Sequence, residues 1–399
     1  MSHEIDVVVA GHICLDIAPT LNASQSRAED LFVPGRLIDI GPASVSLGGA
    51  VSNTGLALHR LGLRTRLVGK IGGDLLGQAT VATLESYSKS LADGMVKAPQ
   101  DSSSYTIVLN PPGTDRCFLH HSGTNDTFVA ADLSVESAAA GRLLHFGYPP
   151  LMRGLYVDGG VGFARQWSAF REAGVMTSLD MAMPDPESPA GRVDWAGWFA
   201  TVLPFVDIAL PSFDEVLLML DLPRYRQLVA QAGGGNPAAV ADIELIREMA
   251  DRLLSMGASI AGLKLGDQGL YLRTAADVSG LAKRRSWDRM DVAAWSGREL
   301  LVPCFDVTVC GTTGAGDSTV AGFLAALLHG CSPEETARMA VGVGAYRVTS
   351  RAAFEGIPAW DVLNQRVQDN WLQQPCAIKL EGWHRDASLG LWRGPADAA

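Results

Sequence analysis

Val309-Cys310-Gly311-Thr312-Thr313-Gly314-Ala315-Gly316-Asp317-Ser318 runs directly into a segment whose apolar residues, Val320, Phe323, Leu324, Leu327 and Leu328, recur at helical spacing. Small residues immediately before a helix leave its first N–H groups open to an anion, and the helix dipole has the right sign to hold one. Gly314 and Gly316 let the backbone approach a ligand closely, and Asp317 puts a carboxylate in the first turn beside that anion hole. Gly330 ends the helix, and Ser332-Pro333-Glu334-Glu335 opens the next with a capping-box pattern. For an isolated Gly-rich turn, the plainer role of such an Asp is to offset the dipole.

Working outward, the chain reads as alternating strands and helices. Ile5–Ala10 is a Val-rich apolar run of the kind buried on both faces of a parallel sheet. After Ser46-Leu47-Gly48-Gly49-Ala50-Val51-Ser52-Asn53, Leu56, Leu58 and Leu61 mark a helix, with Asn53 or Ser52 as its cap and Gly62 at its end. Thr65–Ile71 follows as a strand, and Gly72-Gly73-Asp74 turns into another helix. Between Ser102 and Phe128 the pattern changes: Tyr105–Asn110 and Arg116–His120 form a hairpin around Pro111-Pro112-Gly113-Thr114-Asp115, an antiparallel lid within a parallel α/β chain. The strand rhythm resumes at Arg142–Phe146, Met176–Asp180, Val206–Leu210, Ile260–Leu265 and Gly269–Arg273. Pro184–Trp198 and Ala275–Arg298 read as surface excursions, and a weakly periodic tail beyond Gln374 carries Trp383 and Trp392.

Composition limits the possibilities. With 399 residues, 47% hydrophobic and 19% charged, the chain can build a large core and is not intrinsically disordered. A formal charge of −11 excludes a general polyanion-binding surface, though not a local phosphate pocket. The six cysteines show neither a C-x-x-C pair nor zinc-like spacing with histidine, which fits reduced thiols in a cytoplasmic protein. No signal-peptide pattern and no membrane-length apolar run is read. His120-His121 on the hairpin reads as a solvated strand pair.

The T-T-G-A-G-D motif at the head of an apolar helix resembles the ribokinase-like (PfkB-type) carbohydrate kinases. A second match lies far upstream, where Gly48-Gly49-x-x-x-Asn53 resembles that family's N-terminal signature and Val68–Asp74 its V-G-x-x-G-x-D stretch. The resemblance spans roughly Asp6 to Pro358 and ends near Gly356-Ile357-Pro358. It implies an α/β three-layer sandwich, with a central mostly parallel sheet and a small β lid built from about residues 17–45 and 101–127. The whole of residues 1–399 would then form a single kinase domain.

Carried over residue by residue, the resemblance makes Asp317 the base that accepts the proton of the attacking hydroxyl. Gly314, Ala315 and Gly316 become the backbone anion hole for the γ-phosphate. Asp16, Gly48, Gly49 and Asn53 fall on the substrate side. Lys264, Gly266 and Gly269, in a K-x-G-x-x-G turn, together with Thr312 and Ser212, fall on the ATP side. Glu215 holds Mg2+ through water, in an N-x-x-E element where Ser212 replaces the usual Asn. A further departure is Gly311, where the family usually has an Asp that helps hold a monovalent cation, so potassium activation is in question. Asp180 and Asp185 occupy the region of a family D-P-N-x-R motif whose Asn and Arg are absent, and Arg116 on the lid could neutralise a substrate phosphate.

The expected activity is Mg·ATP-dependent transfer of phosphate to a hydroxyl of a sugar-like molecule, with a homodimer through the lid and no nucleic-acid or membrane partner. The alternatives are a nucleoside kinase of the same fold and a catalytically weakened ligand sensor. A dehydrogenase is a poor reading, because Gly11-x-x-x-x-Asp16 after the first strand is not G-x-G-x-x-G.

Overall fold

The computed structural model describes residues 5–22, 28–112, 116–285, 290–350, 356–369 and 371–398. The tip of the expected hairpin turn, 113–115, lies outside them, as do 23–27 of the expected lid and 286–289 of the second excursion.

Among the described residues, the strands in chain order are β1 (Val7–Gly11), β2 (Cys14–Pro19), β3 (Ala43–Gly48), β4 (Thr65–Val68), β5 (Lys70–Gly72), β6 (Val96–Ala98), β7 (Tyr105–Leu109), β8 (Cys117–His121), β9 (Leu143–Gly147), β10 (Met176–Asp180), β11 (Ile208–Ala209), β12 (Ile260–Lys264), β13 (Leu270–Thr274), β14 (Glu299–Val302), β15 (His384–Asp386) and β16 (Leu391–Arg393). Ten form one sheet in the order β15-β16-β14-β13-β12-β11-β10-β9-β1-β4. From β4 to β12 neighbouring strands are parallel, and beyond β12 they are antiparallel. Alternation along β1 explains why both faces are covered. Val7 and Val9 pack into one core with helices Ala50–Arg60, Ala315–His329 and Pro333–Val348. Val8 and Ala10 pack into the other, with helices Val161–Glu172, Trp195–Val202, Phe213–Leu220 and Ile243–Ser255. Three layers result, as expected.

The lid is a second sheet of order β3-β2-β7-β8. Its outer strands β3 and β8 are largely solvent-exposed. The expected strand Thr65–Ile71 is split at Gly69, because β5 leaves the main sheet to pair in parallel with β6.

Other expectations need correction. The helix after the first glycine pair starts at Ala50, with Gly49 at its N-cap in a positive-φ conformation (φ 88°), so neither Ser52 nor Asn53 caps it. Pro184–Trp198 is no surface excursion at its far end: Trp195 and Trp198 are buried, and their indole N–H groups donate to the carbonyls of Ala190 (2.8 Å) and Leu155 (3.0 Å). That satisfaction is what allows a large polar-tipped ring into a core. The Ala275–Arg298 stretch is likewise anchored, by buried Trp295 and by Arg284, whose Nε donates to both oxygens of buried Asp207 at 3.1 and 3.0 Å. The tail extends the main sheet through β15 and β16, and Asp397 accepts from Arg298 Nε at 2.7 Å. Among the described residues, no helix is long and apolar enough to cross a membrane.

Candidate active site

The strand order leaves a crevice beyond the carboxyl ends of the parallel strands, beside the point where β1 has β4 on one side and β9 on the other. The residues at or just past those ends are the chemically interesting ones: His12 after β1, Tyr148 after β9, Asp180 ending β10, Ser212 beyond β11 and Lys264 ending β12. The Ala315–His329 helix aims its N-terminus at the same crevice, with Gly314 at its N-cap in the left-handed region (φ 72°).

Asp317 is 3% exposed and heavily solvated by protein donors. Asn53 Nδ2 donates to its Oδ2 at 3.0 Å, Tyr148 Oη lies 2.8 Å from both oxygens, and Thr54 Oγ1 is 3.4 Å from Oδ1. The early helix start explains the first of these contacts: Asn53 is inside a helix, its side chain free for Asp317. Tyr148 is, among the described residues, the non-glycine residue with positive φ (71°). That backbone conformation is strained for an aromatic residue and fits a constrained functional position. Burial, together with Asp317 and Asp180, pushes the Tyr148 phenol well above its ordinary range, so it remains a protonated donor.

On the other side of the helix start, Lys264 Nζ is 2.6 Å from Asp180 Oδ1, with both side chains buried. Burial alone would lower the Lys264 pKa, but Asp180, Glu215 and Asp317 outweigh it and raise it, keeping the ammonium charged. Burial pushes Asp180 up to about 6 against the pull of Lys264, and its Oδ2 has no partner among the described residues. Glu215 Oε2 accepts the Ser212 backbone N–H at 2.7 Å, and burial raises its pKa to about 8.

Lys264, Gly266, Gly269, Thr312 and Ser212 all line one cavity of about 360 Å3, together with Ala315 and Gly316 of the helix start. Its far wall is apolar, with Phe305, Val307, Val309, Val341 and Val348. The sequence spacing placed Lys264 in a turn; its side chain instead spans from that turn to Asp180. Asp16 lies on β2 opposite β3, where Gly48 leaves room for its carboxylate and Cys14 Sγ donates to it at 3.3 Å. Burial raises the Asp16 pKa, while Cys14 and Thr106 oppose the shift. Asp185 is exposed and, among the described residues, accepts from local turn donors such as Glu187 N–H, so it stands apart from this group.

Three participants gave no motif signal: Tyr148, Thr54 and Arg347. Arg347 is 5% exposed, donates through Nη1 to the Ser350 carbonyl at 2.8 Å, and leaves Nε without a partner among the described residues. That Nε lies 3.6 Å from where a Cβ on Gly314 would sit, beside the helix start. Only the Gly-Tyr-Pro-Pro run after β9 could have drawn attention to Tyr148, as an unusual strand exit.

Residues 6–360 match the sequence model of the pfkB family carbohydrate kinase. An uncharacterized sugar kinase of Archaeoglobus fulgidus is 26% identical over 303 residues, covering 76% of this chain and 98% of its own. A 2-dehydro-3-deoxygluconokinase of Bacillus subtilis is 23% identical over 338 residues, covering 82% of this chain and 89% of its own. Among solved structures, Arabidopsis thaliana ribokinase complexed with ribose and ATP superposes with a TM-score of 0.65 at 18% identity, covering 90% of this chain and 98% of its own. At that identity the superposition carries the fold, which is the ribokinase fold.

Proposed function

Since the chain belongs to the pfkB family of carbohydrate kinases, we propose that it transfers the γ-phosphate of ATP to a hydroxyl of a sugar or sugar acid, with Asp317 as general base. One observation carries this reading: a buried carboxylate at a helix N-terminus, fixed by Asn53 and Tyr148, stands beside a cavity lined by five residues of the nucleotide side. The reaction needs little else. Phosphoryl transfer is catalysed mainly by positioning and by stabilising charge on the transferred group. Gly314, Ala315 and Gly316 supply the helix-start N–H groups for that charge, and Lys264 and Arg347 place two buried cations beside them. The apolar wall from Phe305 to Val348 takes the base of the nucleotide. Asp16, Gly48 and Gly49 line the acceptor side, where the lid meets the body. The domain is read as one kinase unit, and the exposed apolar residues Val45, Phe118 and Leu119 on the lid strands as its dimer face.

ADP release is the test, using Mg·ATP and a panel of sugars, sugar acids, sugar phosphates and nucleosides. A substrate whose signal vanishes in Asp317→Asn supports the reading. A panel that stays silent while ligands still shift the melting temperature overturns it in favour of a ligand sensor.

The donor set fits Mg2+. Asp180 carries a buried carboxylate oxygen with no partner among the described residues, and Glu215 sits near it, both hard oxygen donors. These two would hold the ion through water, and when bound it neutralises phosphate charge. Because the Glu215 pKa is raised, a proton competes with the cation below about pH 8. Mg2+ affinity, read by calorimetry in the presence of ADP, should therefore strengthen as pH rises from about 6 through about 8 and level off only above about 9. Glu215→Gln should flatten that profile, and a parent profile with no pH dependence would remove Glu215 from the metal.

Gly311 offers no carboxylate for a monovalent cation, while Arg347 already sets a fixed charge beside Gly314. Turnover is expected to be the same in potassium and in tetramethylammonium salts. Arg347→Met should lower kcat about tenfold or more, in keeping with loss of one charge-stabilising donor. A several-fold activation by potassium in the parent would contradict this.

A further inference from the structure

His12, at the end of β1, is 3% exposed, and neither ring nitrogen has a partner among the described residues. A buried imidazole with both nitrogens unsatisfied is costly unless something else satisfies it. Its ring faces that of His120 on lid strand β8, with centroids 5.4 Å apart. Cys14, at the start of β2, completes a trio: one ligand atom from each of His12, Cys14 and His120 lies within 4.8 Å of the others. Sequence spacing alone could not show this, because His120 reaches the other two only through pairing of the lid strands.

We propose that His12, Cys14 and His120 form a binding site for a borderline-soft divalent cation of the Zn2+ class, with a fourth position open to water. Two imidazoles and a thiolate are the donors such an ion prefers over Mg2+. Zn–S near 2.3 Å and Zn–N near 2.0 Å bring tetrahedral donors to about 3.5 Å apart, so donors that lie within 4.8 Å of one another need to close by at most about 1.3 Å. His120 provides that movement: it is the exposed member, on an edge strand, whereas His12 is wedged against Gly49 and Cys14 is buried. The same exposure gives the ion its way in.

The surroundings are arranged for ligation. Thr106 Oγ1 lies 3.6 Å from Cys14 Sγ and 3.0 Å from His120 Nδ1. A hydroxyl that donates to the sulfur must accept from Nδ1–H, and that tautomer leaves the Nε2 lone pair of His120 for the ion. Binding replaces waters of the hydrated ion with one metal–sulfur and two metal–nitrogen bonds, leaves water in the fourth position and releases the thiol proton to solvent. Asp16, which already accepts the Cys14 S–H, lies on the proton's path. The Cys14 thiolate and the Asp16 carboxylate then offset the two charges of the cation.

The test uses Co2+ as probe, titrated into the full-length reduced protein with neither nucleotide nor acceptor present, so its outcome is independent of the kinase reading. One equivalent should bind with a near-ultraviolet thiolate-to-cobalt band and tetrahedral visible bands, both removed by Zn2+. Cys14→Ser, with Cys117, Cys304, Cys310, Cys331 and Cys376 in place, should lose the near-ultraviolet band. Thr106→Val should weaken binding about 10- to 100-fold. Absence of the band in the parent, or its survival unchanged in Cys14→Ser, would overturn the site. If Cys14→Ser does not fold, His120→Ala at its exposed strand position decides the same question: unchanged Co2+ affinity overturns the proposal, and a loss of at least about tenfold supports it.

Discussion

Asp317→Asn is expected to bind ATP as the parent does and to lose about 10²- to 10⁴-fold in turnover, the usual contribution of a positioned general base. The substitution should leave the fold intact. Asp317 accepts from Asn53 Nδ2 at 3.0 Å and meets Tyr148 Oη at 2.8 Å. An asparagine can keep its carbonyl oxygen on Asn53 and turn its amide to Tyr148, because a phenol accepts as well as donates. The helix-start N–H groups come from backbone and are unchanged, so the phosphate side should survive. What disappears is the capacity to take a proton from the attacking hydroxyl. Steady-state ADP release alongside calorimetric ATP affinity separates the two effects. A variant with turnover within about threefold of the parent would dismiss Asp317 as the base and leave positioning alone to explain the rate.

The parts of this site that could be read in advance are those governed by local chain geometry. A Gly-rich turn leading into an apolar helix leaves the helix's first N–H groups open, so the placement of Gly314 to Asp317 at a helix start was legible from ten residues of sequence. The layered sheet was legible for a related reason: Val7 to Ala10 are apolar without alternation, which only a strand covered on both faces tolerates. The Lys264 turn was legible as backbone, but the partner of its side chain was not. Asp180 comes within 2.6 Å only because β10, β11 and β12 lie side by side, and that adjacency is a property of the whole sheet. Capping preference alone favours Asn53 or Ser52 at the helix start, whereas Gly49 can take the positive-φ conformation that starts the helix earlier. The tail was harder still. β15 and β16 are three residues each, His384–Asp386 and Leu391–Arg393, with no periodicity to read; β16 is held by pairing with β14, β15 by pairing with β16, and both by ion pairs such as Arg393 with Glu334.

Lys264→Met should destabilise the protein by about 3–5 kcal/mol, the cost of leaving one partner of a buried ion pair uncompensated. The estimate rests on burial: the two side chains are 10% and 1% exposed. Without the ammonium, Asp180 keeps a single backbone donor, Met181 N–H at 2.8 Å, and its Oδ2 remains unpartnered among the described residues. Its pKa, already about 6 because burial outweighs Lys264, should climb further. A carboxyl whose pKa is raised in the folded state holds its proton there while the unfolded chain has lost it, so folding stability falls as pH rises through that window. Lys264→Met should therefore be closest to the parent near pH 4 and furthest from it above about pH 7. Urea unfolding at several pH values measures this, and a deficit that is small and independent of pH would show that the pair carries little of the fold. Adding Asp180→Asn to Lys264→Met removes the stranded charge and should recover most of the stability. It should not recover turnover. Lys264 Nζ lies 3.8 Å from where a Cβ on Gly316 would sit, beside the helix start, so under the proposed kinase reading its charge serves the transferred phosphate as well as the fold. Stability restored without activity is the outcome that separates those two duties of one lysine.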